Sequence, residues 1–184
     1  MLKSRIGRLL YKTIGHILPV NRAGRKFRAF TARLMFARSG KNVNLEKHVN
    51  APNSLTIGDN SGIGENAYIQ GETHIGDNVM MSKNVRIFTR NHNYSRLDLP
   101  MNQQGTQEEK PVFIGDDVWI GDSVMILPGT KIGNGVVVGG GAVVRGIIPN
   151  YAIVIGNPAQ IISYRGNSTN KNNKTNISKE NYND

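Results

Sequence analysis

The chain has 184 residues, 38 % of them hydrophobic, which suffices for one principal core with appendages and not for two large domains. It has no cysteine, which excludes a disulfide framework, a cysteine-ligated metal site and thiol catalysis. Its formal charge of +10 is lopsided: residues 1–41 hold eleven Lys and Arg and no acid, leaving twelve Lys and Arg against thirteen Asp and Glu in the rest. A basic excess confined to an appendage argues against nucleic acid as the partner of the main domain.

Leu2, Ile6, Leu9, Leu10, Ile14, Ile17 and Leu18 recur at three- and four-residue steps, which predicts an amphipathic helix with its cations on the opposite face and an end at Pro19. A second helix is predicted over about Ala23–Ala37, with Phe27, Phe30 and Leu34 as its stripe and Gly40 as its stop. Arg8, Lys12 and His16 interrupt the first apolar run, so no signal or spanning segment is expected and the chain reads as cytoplasmic. The two helices of this basic segment, residues 1–42, suit either of two roles. Their apolar faces pack on the main domain or a neighbouring subunit, or they attach the chain to an anionic membrane surface, on its inner face. Nucleic acid is disfavoured because no base-reading motif accompanies the charge.

From Ile57 an aliphatic stands at every sixth position: Ile57, Ile63, Ile69, Ile75, Met81 and Ile87, then, after a break, Ile114, Ile120, Ile126, Ile132, Val138 and Val144. With roughly a quarter of residues aliphatic, chance produces such a run on the order of once in ten million trials, so the repeat is real. Four residues after each come small or β-branched side chains, from Ser61, Ala67 and Thr73 to Val136 and Ala142. A period of six fits neither a helix nor a heptad but suits a short strand and a tight corner. Gly58-Asp59-Asn60, Gly76-Asp77-Asn78 and Gly133-Asn134-Gly135 are corners built of residues that tolerate positive φ. The prediction is an all-β solenoid over residues 43–165, its aliphatics stacked inside at about 4.8 Å per rung.

Between Ile87 and Ile114 extra chain must leave the coil. About Asn93 to Glu109 is polar and aperiodic and reads as an exposed excursion rooted at His92, the kind of long loop that carries function. Alone, His92 reads either as an ordinary polar residue or as a titrating group. His74 precedes it by eighteen residues, one full coil, so the two are expected to project from the same edge on adjacent rungs.

The pattern of Ile, Gly and a small residue, together with Lys110-Pro111-Val112-Phe113-Ile114-Gly115-Asp116-Asp117-Val118-Trp119-Ile120-Gly121, Ile126-Leu127-Pro128-Gly129 and Ile155-Gly156-Asn157-Pro158-Ala159, resembles the hexapeptide-repeat acyltransferases. Within them it is most similar to the galactoside and maltose acetyltransferases and polysaccharide O-acetyltransferases. The resemblance implies a left-handed parallel β-helix, a homotrimer with sites shared between neighbours, and acetyl transfer from acetyl-CoA to a carbohydrate, a cell-surface or capsular polysaccharide or its precursor. It implies His92 as general base on the acceptor hydroxyl, with Glu72 or Asp98 as candidates to orient it. On the cofactor side it implies Trp119, Gly139 and Gly140, with Arg145 and Arg165 as phosphate partners where relatives carry a Thr-Lys pair and this chain has Arg145-Gly146. On the acceptor side it implies Gln70, Glu72, His74 and Asn93. A zinc site of the kind found in β-helical carbonic anhydrases needs three ligands, and His16 and His48 lie too far from His74 and His92, so no metal is expected. A non-catalytic scaffold and N-acetylation of an amino sugar are the competing readings. The segment 166–184 is nearly devoid of apolar residues and is predicted to be disordered.

Overall fold

The computed structural model describes residues 2–166; the tail predicted over 166–184 lies, from residue 167 onward, outside them. The solenoid expected from the six-residue period is present as three parallel sheets that the chain visits in turn on every rung. The first sheet holds Arg38–Ser39, Thr56–Ile57, Thr73–Ile75, Val112–Ile114, Lys131–Ile132 and Ile147–Ile148. The second holds Asn44–Leu45, Gly62–Ile63, Met80–Met81, Trp119–Ile120, Val137–Val138 and Ala152–Ile155, and the third Tyr68–Ile69, Arg86–Ile87, Met125–Ile126 and Val143–Val144. Three flat walls joined at three corners give the coil a triangular section. Gln160–Tyr164 turns back antiparallel on Ala152–Ile155 and covers the far edge of the second sheet.

All twelve periodic aliphatics are inside, none more than 7 % exposed, and the smaller residues four positions on are buried with them. Each such aliphatic contributes about 1.5–3 kcal/mol by leaving water. The corners divide the labour between residue types differently from the sequence reading. Positive φ falls on the third residue after the aliphatic, Asn60, Asn66, Asn78, Asn84, Asp117 and Ser123, and not on the leading glycine. That glycine is there for space: a Cβ on Gly115 would stand 2.9 Å from backbone atoms of Gly133 and Asn134 on the next rung. Between the first and second sheets the corner side chains form a ladder. Carboxylate or amide oxygens of Asp59, Asp77, Asp116, Asn134 and Asn150 each accept the backbone N–H of Lys41, Asp59, Asp77, Asp116 and Asn134 respectively, at 2.6–2.8 Å.

The N-terminal helices form a hairpin on this coil. α1 spans Leu2–Leu10 and runs on as a π-turn over Tyr11–Gly15; α2 spans Arg22–Met35, with the Asn21 side chain accepting the N–H of Gly24 at 2.9 Å as its N-cap. α2 stops at Met35 and not near Gly40, because Phe36 is buried and the N–H of Ala37 already bonds the Leu55 carbonyl of the coil. The first coil strand therefore begins at Arg38, a little before the boundary expected at residue 43.

The hairpin faces the coil with a side that only partly coincides with the one its hydrophobicity suggests. Buried on α1 and its π-turn are Gly7, Tyr11 and Gly15, each four residues apart, and on α2 Gly24, Arg28, Thr31, Ala32 and Met35. The expected stripes divide: Leu2 is 73 % exposed, Leu9 64 %, Ile17 81 %, and Phe30 is half-exposed, whereas Leu10, Leu18, Phe27 and Leu34 are partly buried. α2 still packs apolar side chains on the main domain, since Ala32, Met35 and, just past its end, Phe36 join the core of the coil. Small residues bring the helices close, since a Cβ on Gly7 would stand 2.5 Å from that of Leu34, and polar groups anchor them. The Tyr11 hydroxyl donates to the Glu46 carbonyl at 2.6 Å and accepts the N–H of Val49 at 2.9 Å, and burial pushes its pKa up to about 12. The fully buried Arg28 guanidinium donates to the carbonyls of Leu45 (2.8 Å), Leu18 (3.3 Å) and Gly15 (3.4 Å) and lies 3.7 Å from the Glu46 carboxylate.

Candidate active site

The excursion leaves the coil at the corner between the third and first sheets, and its foot is closed by backbone and side chains together. The N–H of Lys110 bonds the carbonyl of Thr89 at 2.7 Å. The Gln70 amide oxygen accepts the N–H groups of Thr89 (3.1 Å) and Arg90 (3.2 Å). Glu109 closes the other side, accepting the N–H of Glu72 at 2.7 Å and the Thr89 hydroxyl at 3.1 Å. Glu109 was not foreseen, because its partners meet it only after the loop has gone out and returned.

The loop itself is ordered by a short ladder. The N–H of Asn93 bonds Gly105, the N–H of Gln107 bonds Asn91, and His92 forms an isolated antiparallel bridge with Thr106. Inside it the Gln104 amide donates to the carbonyls of Arg96 and Leu99 at 2.8 Å, and the Asn93 amide donates to the carbonyl of Gln104 at 3.0 Å. His92 sits at the base of this ladder, exposed, its imidazole without a hydrogen-bond partner among the described residues.

The two carboxylates considered for orienting it have other partners. Asp98 pairs with Arg96, whose guanidinium holds the carboxyl below the usual carboxylate range. Glu72 bonds the Nε2 of His74 at 2.9 Å.

His74 does not share an edge with His92. The residue beside His74 on the next rung is Phe113, whose ring stacks on it at 4.8 Å, while Thr56 on the preceding rung meets its Nδ1 at 3.0 Å. The loop departs before the rung reaches the first sheet, so counting by eighteen fails there. Among the described residues no group of three or more His, Cys, Asp and Glu is placed to hold a metal ion.

Trp119 lies on the second sheet between Met80 and Val137, half-exposed. Beside it is a cleft of about 380 Å³ lined by Asn44, Glu46, Ser61, Gly62, Met80 and Trp119. Of the glycines expected here, Gly139 serves rung stacking, since a Cβ on it would stand 2.7 Å from the Cγ2 of Ile155. Gly140 is less crowded, with Asp122 3.2 Å from its would-be Cβ. Arg145 is exposed and without a partner among the described residues. Arg165 is engaged: it donates to the Asp117 carboxylate at 2.7 Å and the Gly135 carbonyl at 3.0 Å, clasping the antiparallel strand to the coil.

In one copy of the chain these two groups of residues lie on opposite sides. Gln70 and Glu72 stand at the corner between the third and first sheets, from which the loop that carries His92 and Asn93 departs, and the second sheet with Trp119 is the wall across the prism from that corner.

Two family models match the coil: the bacterial transferase hexapeptide, with six repeats, over residues 111–146, and the hexapeptide repeat of succinyl-transferase over residues 54–88. A search of curated protein sequences gave no significant match. Among solved structures, the chain is similar to a maltose O-acetyltransferase from Clostridium difficile 630 at 30 % identity and a TM-score of 0.74, covering 89 % of this chain and 86 % of that one. It is similar to a galactoside acetyltransferase in complex with coenzyme A, at 28 % identity and 0.75, covering 89 % and 80 %. It is also similar to a hexapeptide-repeat acetyltransferase of Vibrio cholerae O1 biovar eltor complexed with acetyl coenzyme A, at 29 % and 0.73, covering 89 % and 86 %. With both family models on the coil and a relative 30 % identical over 89 % of the chain, the protein belongs to the hexapeptide-repeat acyltransferases, related to the galactoside and maltose O-acetyltransferases.

Proposed function

We propose that the chain transfers the acetyl group of acetyl-CoA directly to a hydroxyl of a carbohydrate, with His92 as general base. The observation that carries this reading is the state of His92: an exposed imidazole at the root of an ordered loop, with no partner of its own among the described residues and hence a nitrogen free for substrate. Relatives described as maltose and galactoside acetyltransferases support a sugar acceptor. Acetyl coenzyme A supplies an acyl carbon already activated as a thioester. A neutral imidazole within hydrogen-bond reach takes the proton of the sugar hydroxyl as its oxygen attacks that carbon, and returns the proton to the departing sulfur. No acyl-enzyme is needed.

The cofactor side fits the co-substrate in its chemistry. Trp119 and Met80 give an apolar wall for the thin pantetheine arm, and Arg145 offers an unpaired guanidinium for phosphate. Because His92 and Trp119 lie across the prism from one another, the reading includes a homotrimer in which the loop of one copy meets the second sheet of its neighbour. The acceptor is taken to be a cell-surface or capsular glycan or its precursor, and the chain to work in the cytoplasm.

The test is coenzyme A release with acetyl coenzyme A and a panel of sugars, with native mass measured alongside. His92→Ala is expected to lower turnover by about a hundredfold or more while mass and thermal midpoint stay unchanged. Wild-type turnover in that variant would remove His92 from the mechanism.

A further inference from the structure

The helical hairpin displays what soluble surfaces ordinarily cover. On α1 the aliphatics Leu2, Ile6 and Leu9 point away from the coil, Ile14 and Ile17 continue the exposed side beyond it, and Phe30 does so on α2. Lys3, Arg5 and Lys12 accompany that side on the first helix and Arg22, Lys26 and Arg33 on the second, all exposed. Among the described residues none of these six cations has a carboxylate within 4.0 Å; the only acid near the hairpin's cations is Glu46, beside Arg25 and Arg28. A cleft of about 490 Å³ between α2 and residues 42–44 is walled by Arg25, Lys26 and Arg33 next to the Phe30 ring. Apolar side chains interleaved with unpaired cations are the chemistry of a helix lying in a lipid headgroup layer.

We propose that this hairpin docks the enzyme on an anionic bilayer, with Leu2, Ile6, Leu9 and Phe30 entering the acyl boundary and Lys3, Arg5, Lys12, Lys26 and Arg33 meeting lipid phosphate. The charge favours lipid over a second copy of the chain. Residues 1–41 carry eleven cations and no acid, so two such faces repel, and the rest of the chain is nearly neutral and offers them no complementary charge. Among the described residues no helix is long and apolar enough to cross a membrane, so the contact proposed is peripheral. The anchoring of the hairpin by Tyr11 and Arg28 fixes which side faces outward, so the surface is built in and needs no rearrangement. This inference uses none of the residues assigned to acetyl transfer.

The experiment is sedimentation of the full chain with vesicles of phosphatidylcholine alone and with about one-third phosphatidylserine. Binding is expected only to the anionic vesicles and is expected to fall with salt. The double variants Ile6→Glu with Leu9→Glu, and Lys3→Glu with Arg5→Glu, are each expected to bind about tenfold more weakly or less, since each juxtamembrane charge contributes several-fold. Native mass and turnover on a soluble sugar are expected to be unchanged in both. Failure of the wild-type chain to sediment, sedimentation of both variants like wild type, or a changed native mass in the apolar variant, which would make the face a subunit contact, each overturns the proposal.

Discussion

The coil and the hairpin both carry hydrophobic periodicities, and only the coil turns all of its periodic residues inward. In the coil every periodic aliphatic points inward, whereas in the hairpin Leu2, Ile6, Leu9, Ile14, Ile17 and Phe30 are exposed while glycine, tyrosine and arginine are buried beside Ala32 and Met35. Periodicity states which residues share a face; it does not state where the face looks. In the coil the direction follows because each rung's neighbour is another copy of the same pattern, and only one arrangement stacks Ile57, Ile75, Ile114 and Ile132 on one another. The hairpin meets a surface of different composition. Its orientation is decided by where backbones can approach closely, at Gly7, and by which polar side chains find carbonyls to bond, at Tyr11 and Arg28.

The largest expected effect tests this contrast head on. Ile126→Ala empties a fully buried position and is expected to cost about 2–5 kcal/mol. Leu9→Ala, an equally aliphatic truncation on an outward face, is expected to stay within about 0.5 kcal/mol of wild type. Denaturant midpoints for the two variants decide it, and equal losses would mean that the hairpin's apolar side is covered in solution.

A smaller effect is expected at the anchor. Arg28→Met keeps an unbranched apolar stem but leaves the carbonyls of Leu45, Gly15 and Leu18 without their donor, a loss of about 1–3 kcal/mol. Hydrogen exchange is expected to show α1 and α2 opening ahead of the coil in that variant. Uniform loosening of hairpin and coil would mean that the two regions are one cooperative unit.

The smallest effect concerns acid. The Nε2 of His16 is buried without a partner among the described residues, its ring lies 4.7 Å from that of His48, and its other charged neighbours, Lys12, Lys47 and Arg28, are all cations. Burial first, and His48 second, lower its pKa from the ordinary 6.5. The unfolded chain then binds the proton more readily than the folded one. Its contribution is therefore fully present above about pH 6.5 and is lost as pH falls from there through the lowered value. Thermal midpoints measured from pH 7 to pH 5 are expected to fall less for His16→Gln than for wild type, and parallel curves would remove His16 from the account.

The same contrast explains what could be read from residues alone. The twelve aliphatics, the small second positions and the place of the excursion were legible because each is a local repeat or its interruption. The outward turn of Leu2 and Leu9 was not, since nothing in their spacing encodes the carbonyls that Arg28 finds on the coil. At the candidate site His92 could be singled out as the root of the loop, but its relation to His74 could not. The count of eighteen assumes that the chain is still on the coil, and the coil ends at Thr89. The partnership of Glu72 with His74, and of Glu109 with Glu72 and Thr89, depends on where the returning strand lands.

The closure at Thr89 and Lys110 has a consequence for how such a chain can vary. Along the rungs length is quantised: one inserted residue between Thr56 and Ile87 would put every later aliphatic as far as Ile87 out of phase and turn its face to water. At this one corner the constraint is lifted. Gln70 and Glu109 pin the two feet of the excursion to the coil, so residues can be gained or lost between them at the small entropic cost of a longer loop, without shifting any rung. The loop can therefore drift in length by insertion and deletion while the rungs on either side of it stay in register.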